Sequence, residues 1–524
     1  MRKFFVALSL IISFLFISTI SSAQLNHQRP NIVIIFSDDH AYQAMSAYGN
    51  KLISTPNIDR IAKDGAILLN NFITNSLCGP SRATLLTGKF SHINGYKVNE
   101  RKFNFEQEVF PALLQQNNYQ TAWIGKLHLS SLPYHGFNYF NILPGQGDYY
   151  NPDFINYKND TIRYTGYVTD LITQFAEGWL NQRDTTKPFL LVVGEKATHR
   201  EWLPWIDDLG AYDDINFPLP KTFYDDYKGR KAAADQDMTI DKTMLLTNDL
   251  KVHIDYSKGI YARLNEEQKK VFSAYYDKIS SDFDEKKLSG KELVKWKYQR
   301  YLKDYYATAK SLDRNIGKIL DYLDSTGLSK NTVVIYASDQ GFYLGEHGWF
   351  DKRFMYEESL RSAFVIRYPD VIKPGTVVKQ VISNVDWAPT LLDITGTKIP
   401  SEMQGVSFLP LLKQKKDIAM KWRNEMYYHY YEFPEPHHVH PHFGIRTAQY
   451  KLIHFYEGMD TWELFDLKKD PEELNNVYSK TENAKIVADL KARLKHLILQ
   501  YKDDEALKLF NDSEIKNSAK SKLN

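Results

Sequence analysis

A single cysteine, Cys78, serves 524 residues, so no disulfide can close within the chain. Net charge is only +2, which leaves no overall field to recruit nucleic acid or an acidic membrane surface. No block of like charge is long enough to act as a tail, and no internal repeat is present. Beyond Ile20 no apolar run could span a bilayer. These absences exclude a disulfide scaffold, a polytopic membrane protein and a charge-driven nucleic-acid binder.

The N-terminus carries a clear pattern. Arg2 and Lys3 precede an apolar run over 4–20, and Ser21-Ser22-Ala23 follows. This predicts a cleaved signal peptide over 1–23, with Gln24 the first mature residue. The run is marginal for a membrane anchor, and no cysteine stands near the cleavage site to carry a lipid. The expected location is the bacterial periplasm or the medium. An exported chain that keeps one thiol needs a reason for it, either a small buried hydrophobe or chemistry.

The length predicts more than one ordinary core: a catalytic unit over 24–413, a smaller C-terminal one over 414–510, and a polar, disordered tail over 511–524. Hydrophobic residues at 43% and charged residues at 25% give a normal globular balance. Aromatics reach 14%, which suits either sugar binding or an aromatic-rich core. Continuous apolar runs at 32–36, 121–124, 189–193 and 332–337 read as buried parallel strands. Helical spacing appears at 299–323 and 111–116. The class is therefore α/β, with a mostly parallel sheet flanked by helices. The stretch 202–298 reads as a surface excursion with helices. Beyond 414 the pattern turns to short alternating runs, a small antiparallel sheet, with a helix over 483–501.

In open α/β sheets, ligands bind beyond the carboxyl ends of the strands. There the four runs deliver Asp38-Asp39-His40, Lys126-Leu127-His128, Glu195-Lys196 with His199, and Asp339-Gln340. Four such deliveries point to one site of carboxylates and cations. Asp38, Asp39, Asp339 and the Gln340 amide are hard oxygen ligands, which favours Ca²⁺ or Mg²⁺ over zinc. The bland alternative makes Asp38-Asp39 a solvated turn or a helix N-cap. In Cys78-Gly79-Pro80-Ser81-Arg82, continuing to Thr87-Gly88, the proline suits a first helical turn and the last glycine a helix end. Cys78 then sits at a helix N-terminus, which attracts anions, with Arg82 one turn on.

That segment resembles the sulfatase signature C-x-P-S-R. Asp38-Asp39, Gly125-Lys126-Leu127-His128, Lys196-Ala197-Thr198-His199, Asp339-Gln340-Gly341, Leu344-Gly345-Glu346-His347-Gly348 with Lys352, and Glu463-Leu464-Phe465-Asp466-Leu467 resemble family motifs in the family's order. Gln340 stands where many members have Asn, and Leu127 where many have Trp. The resemblance implies an alkaline-phosphatase-like α/β domain with a small C-terminal one. It also implies Ca²⁺ held by Asp38, Asp39, Asp339 and Gln340, and oxidation of Cys78 by a separate maturation enzyme to formylglycine, whose hydrate is a further calcium ligand. By the same resemblance Arg82, Lys126 and Lys352 hold the sulfate oxygens, His199 protonates the leaving oxygen, and His128 takes a proton as sulfate is expelled. Lys196 is expected on the sulfate or the substrate, and His347 either behind the site residues or on the substrate side.

Lys196 to Arg200, and the run from Ser338 through Lys352-Arg353 to Ser359, look most like bacterial sulfatases acting on N-acetylglucosamine 6-O-sulfate in mucin, keratan or heparan fragments. In the histidine-rich segment 427–443, His442 is the expected sugar contact. An exposed loop and a zinc site are the other readings of that segment. Two rivals complete the set: a phosphonate monoester or phosphodiester hydrolase on the same fold, and a glycan-binding protein with a decayed site.

Overall fold

The computed structural model describes residues 29–99 and 101–523; the expected signal peptide lies outside them. A ten-stranded mixed sheet forms the centre, in the order Thr376–Val378, Ala66–Leu68, Phe364–Arg367, Thr332–Ser338, Asn31–Ser37, Phe189–Gly194, Gln120–Lys126, Tyr139–Leu143, Asp153–Asn156, Thr161–Arg163. The five middle strands, from Thr332–Ser338 to Tyr139–Leu143, run parallel. Antiparallel strands flank them on both sides. All four apolar runs picked out above are among the parallel strands.

Both faces of these strands are buried, which is why the runs read as continuous rather than alternating. On one face Ile32, Ile34, Phe36, Leu190, Val192, Val333 and Ile335 pack with Ala83, Leu85 and Leu86 of the helix Cys78–Thr87. On the other, Val33, Ile35, Leu191, Val193 and Val334 meet Leu312, Ile316, Ile319, Leu320 and Leu323 of the helix Gly290–Ser325. Each such aliphatic side chain contributes about 1.5–3 kcal/mol on burial.

Register decides what meets at the sheet's carboxyl edge. Ser37 pairs with Ser338 and Phe36 with Gly194, so Asp38, Asp339 and Glu195 leave the sheet side by side. Gly125, paired with Gly194, has φ +96, and a Cβ there would come within 2.0 Å of the Gly194 carbonyl oxygen. Glycine is what lets the two strands approach just before Lys126.

The stretch 202–298 differs from the expected surface excursion. Trp202, Phe217, Phe223, Ile240, Leu250 and Val252 bury against Tyr301, Tyr305, Phe342, Leu344 and Phe350 as a core of their own. Irregular backbone in this stretch is satisfied by buried side chains: Lys251 Nζ donates to the carbonyls of Glu201, Trp202 and Asp249. Without periodicity, such a core leaves little trace in sequence.

The C-terminal part is a four-stranded antiparallel sheet, Glu425–Tyr430, His442–Thr447, Tyr450–Phe455 and Thr461–Asp466, with the helix Ala484–Gln500 against it. The expected disordered tail is corrected over 511–523: these residues continue the helix Asp504–Leu523, where buried Ser513 accepts from Trp462 Nε1 at 3.1 Å. Among the described residues no helix is long and apolar enough to cross a membrane.

Candidate active site

The helix Cys78–Thr87 is buried along its whole length, with Cys78 its first residue and Gly88 closing it in the left-handed conformation at φ 63. The thiol reaches two strand ends. Cys78 Sγ lies 3.2 Å from Asp38 Oδ1 and 3.6 Å from Gln340 Nε2. Burial pushes the Cys78 thiol up to about 12, against the pull of Lys352. Burial thus favours the uncharged thiol, the weaker nucleophile.

Asp38, Asp39 and Asp339 each bring a carboxylate oxygen within 4.8 Å of the others. Asp39 carries φ 59, a left-handed backbone typical of over-determined functional positions. Burial raises its carboxyl to about 6, with Lys352 opposing the rise and Asp339 adding to it. Gln340 Nε2 donates to Asp39 Oδ1 at 2.5 Å, and among the described residues nothing donates to the buried Gln340 Oε1. The two ends of an amide have nearly the same shape, and turning it brings Oε1 to the carboxylates, where only a cation can sit between them. Three carboxylates and an amide oxygen fit a hard divalent cation such as Ca²⁺. The extra methylene of Gln340 is accommodated.

The cations surround this cluster. Lys126 Nζ pairs with Asp38 and donates to the Gln146 side chain. Lys352 Nζ donates to Asp39 Oδ2 at 2.7 Å. Burial drives the Lys126 ammonium well below its ordinary value. Burial also opposes the charge on Lys352, but Asp39 and Cys78 hold it above the ordinary value. Lys196 lies 4.8 Å over the Tyr149 ring and 3.4 Å from the Gln146 carbonyl.

Both expected histidines are here. His199 Nδ1 donates to the Arg200 carbonyl at 2.7 Å, which leaves Nε2 toward Asp39 Oδ2 at 3.8 Å. His128, also left-handed at φ 54, faces Gln146 Nε2 through its own Nε2 at 3.1 Å. Burial first, then Lys126, holds both imidazoles well below their ordinary value.

Two expectations change, those for Arg82 and His442, and His347 takes the supporting position of its two readings. Arg82 does not face outward toward a sulfate. It is fully buried, donates to Asp339 Oδ2 at 2.9 Å and to the Lys126 carbonyl at 2.8 Å, and lies 4.9 Å over the Phe36 ring. Its reach is spent on holding other site residues. His347 is fully buried, with Nδ1 on Asp225 Oδ2 at 2.7 Å and its ring against Trp349, so it orders a loop. His442 is fully buried too. Its Nε2 accepts from the Met355 amide at 3.1 Å and its ring stacks on Phe354 and Tyr428. Other C-terminal side chains that reach the Lys352 segment include Glu432, paired with Arg353, Tyr428, whose hydroxyl donates to the Arg353 carbonyl at 2.6 Å, and His437, whose Nε2 is 3.4 Å from Asp351 Oδ2. Gln146, which joins Lys126 to His128, carries no motif and went unread in the sequence.

A buried anion-binding helix end, a carboxylate cluster and four cations around one side chain suit displacement at a sulfate or phosphate ester. Residues 30–397 match the family described as Sulfatase, and residues 345–500 match N-sulphoglucosamine sulphohydrolase, C-terminal. The chain belongs to the sulfatase family. This sulfatase is 48% identical to the N-acetylglucosamine-6-O-sulfatase of Bacteroides thetaiotaomicron, over 91% of the chain and 88% of that relative. It is 26% identical to the ulvan-active sulfatase of Formosa agariphila, over 95% and 87%. A solved structure in complex with its substrate D-glucosamine-2-N,6-O-disulfate superposes with a TM-score of 0.88 at 47% identity, covering 91% of this chain and 99% of that one. The α/β fold is thus the alkaline-phosphatase-like sulfatase fold.

Proposed function

We propose that this sulfatase removes the 6-O-sulfate of N-acetylglucosamine in mucin, keratan or heparan-type glycans, acting outside the cytoplasm with calcium and a formylglycine made from Cys78. The observation that carries the chemistry is Cys78 itself, at a buried helix start beside Asp38 and Gln340, with a thiol pushed up to about 12. A thiol so protonated is a poor nucleophile, and an oxidised residue there makes sense of the cations around it. The sugar assignment is supported by the 48% identity to an N-acetylglucosamine-6-O-sulfatase.

Calcium would supply positive charge for the sulfate oxygens, and a hydrated formylglycine would supply one hydroxyl as nucleophile and a second to give up a proton. The protein's own groups do the rest. Lys126 and Lys352, now on Asp38 and Asp39, exchange those partners for sulfate oxygens. Arg82 keeps Asp339 and the Lys126 carbonyl in place. His199 Nε2 is the nitrogen left to carry a proton to the leaving sugar oxygen. The incoming sulfate's negative charge counters the lysines that depress that imidazole. His128, held by Gln146, would be the base for the second hydroxyl's proton.

Mass spectrometry of the residue-78 peptide from the native host should find the aldehyde or its hydrate. Thiol alone there would sink the mechanism. The enzyme should release sulfate from N-acetylglucosamine 6-O-sulfate. Activity confined to 2-O- or 4-O-sulfated sugars would overturn the substrate, and faster cleavage of matched phosphate monoesters would overturn the reaction class.

A further inference from the structure

Away from the catalytic residues, Asp235, His438 and His440 each offer one ligand atom, and the three atoms lie within 4.8 Å of one another. Asp235 ends the helix Lys231–Asp235. The two histidines sit in the loop between the strands Glu425–Tyr430 and His442–Thr447. Histidine spacing alone lacks an acidic partner, and the fold supplies one from 205 residues away.

The geometry of His440 is the deciding feature. Its ring is buried, and Nδ1 faces the Glu457 carbonyl oxygen at 2.7 Å. A carbonyl only accepts, so Nδ1 carries the proton. Nε2 then points at Asp235 Oδ2 at 2.7 Å, a ring nitrogen set against an oxygen that cannot donate when ionised. At hydrogen-bond distance one proton bridges the pair, and a divalent ion takes that proton's place when the two atoms open to ligand spacing. A backbone carbonyl holding Nδ1–H while Nε2 faces outward is how metal-ligating histidines are oriented. His438 stands edge-on to His440, with ring centroids 5.5 Å apart, and Phe433 packs on both rings. His437 and His438 both hold positive φ, 72 and 50. Two imidazoles and a carboxylate without thiolate match Zn²⁺ rather than calcium.

We propose that Asp235, His438 and His440 form a second metal site, for Zn²⁺ or a like divalent transition ion. Three protein ligands leave a fourth position for water, and exposed Asp235 with half-buried His438 gives the ion its way in. The ion ties the C-terminal loop to the large domain. His437, next to the site, reaches Asp351, which precedes Lys352, so the tie also steadies one wall of the catalytic pocket.

The test is isothermal titration of the full calcium-loaded enzyme with zinc chloride, with zinc content read by mass spectrometry after gel filtration. Asp38, Cys78 and His199 also bring ligand atoms within 4.8 Å, so the parent protein carries Cys78→Ser. One zinc per chain is expected in that parent. His438→Ala and Asp235→Asn, both on accessible side chains, should each weaken it by about 10-fold or more while leaving zinc-free Tm unchanged. The proposal is overturned if the parent binds no zinc at about 100 μM, or if either variant binds within a factor of about two of it.

Discussion

Arg82 Nη2 lies 2.9 Å from Asp339 Oδ2, and both side chains are fully excluded from solvent. This pair links the nucleophile's helix to the carboxyl end of the strand Thr332–Ser338, and through the Lys126 carbonyl to a third element. Removing one member of such a pair strands the other charge. Arg82→Met should cost about 3–5 kcal/mol by chemical denaturation and weaken calcium retention about 10- to 100-fold. A stable variant with normal calcium binding would refute the positioning role.

Gln146 bridges Lys126 and His128. Gln146→Leu should lower kcat/KM about 10- to 100-fold with a fall in kcat, because it positions both Lys126 for the sulfate and His128 for proton transfer. Gln146→Glu should instead shift the pH profile upward, since a carboxylate beside His128 favours its protonated form. Variants that change KM alone would show that Gln146 only contacts the sugar.

His199 has Nδ1 committed to the Arg200 carbonyl. If Nε2 protonates the leaving oxygen, the loss on His199→Gln depends on the leaving group. An activated aryl sulfate should lose about 10-fold less rate than the sugar sulfate, measured as kcat/KM. Equal losses would remove His199 as the acid.

His442 supports the loop at Met355 rather than the substrate. His442→Ala should destabilise the protein by about 2–4 kcal/mol, and folded enzyme should keep KM for the sugar. A raised KM with unchanged stability would restore it as a substrate contact.

Glu463 is buried against the Tyr356 hydroxyl at 2.8 Å, and burial raises its carboxyl from 4.5 to about 7. The folded state therefore holds a proton that the unfolded chain releases earlier. The stabilisation is complete below 4.5 and fades as pH rises through about 7, at most about 3 kcal/mol. Glu463→Gln should flatten the pH dependence of Tm between these values. An unchanged slope would place the titration elsewhere.

The α/β sheet is legible along the chain, because strands buried on both faces leave continuous apolar runs at 32–36, 121–124, 189–193 and 332–337. The centre at Cys78 is legible too, because ligand residues that must follow strand ends appear as short motifs. Which way side chains face emerges only once the chain is packed. Arg82, His347 and His442 carry groups able to bind a sulfated sugar, yet each is spent on a neighbour inside the protein. Gln146 is a plain amide in an unmarked loop, and Asp235 meets His440 across 205 residues. Such contacts depend on strand register and loop packing, which no local pattern records.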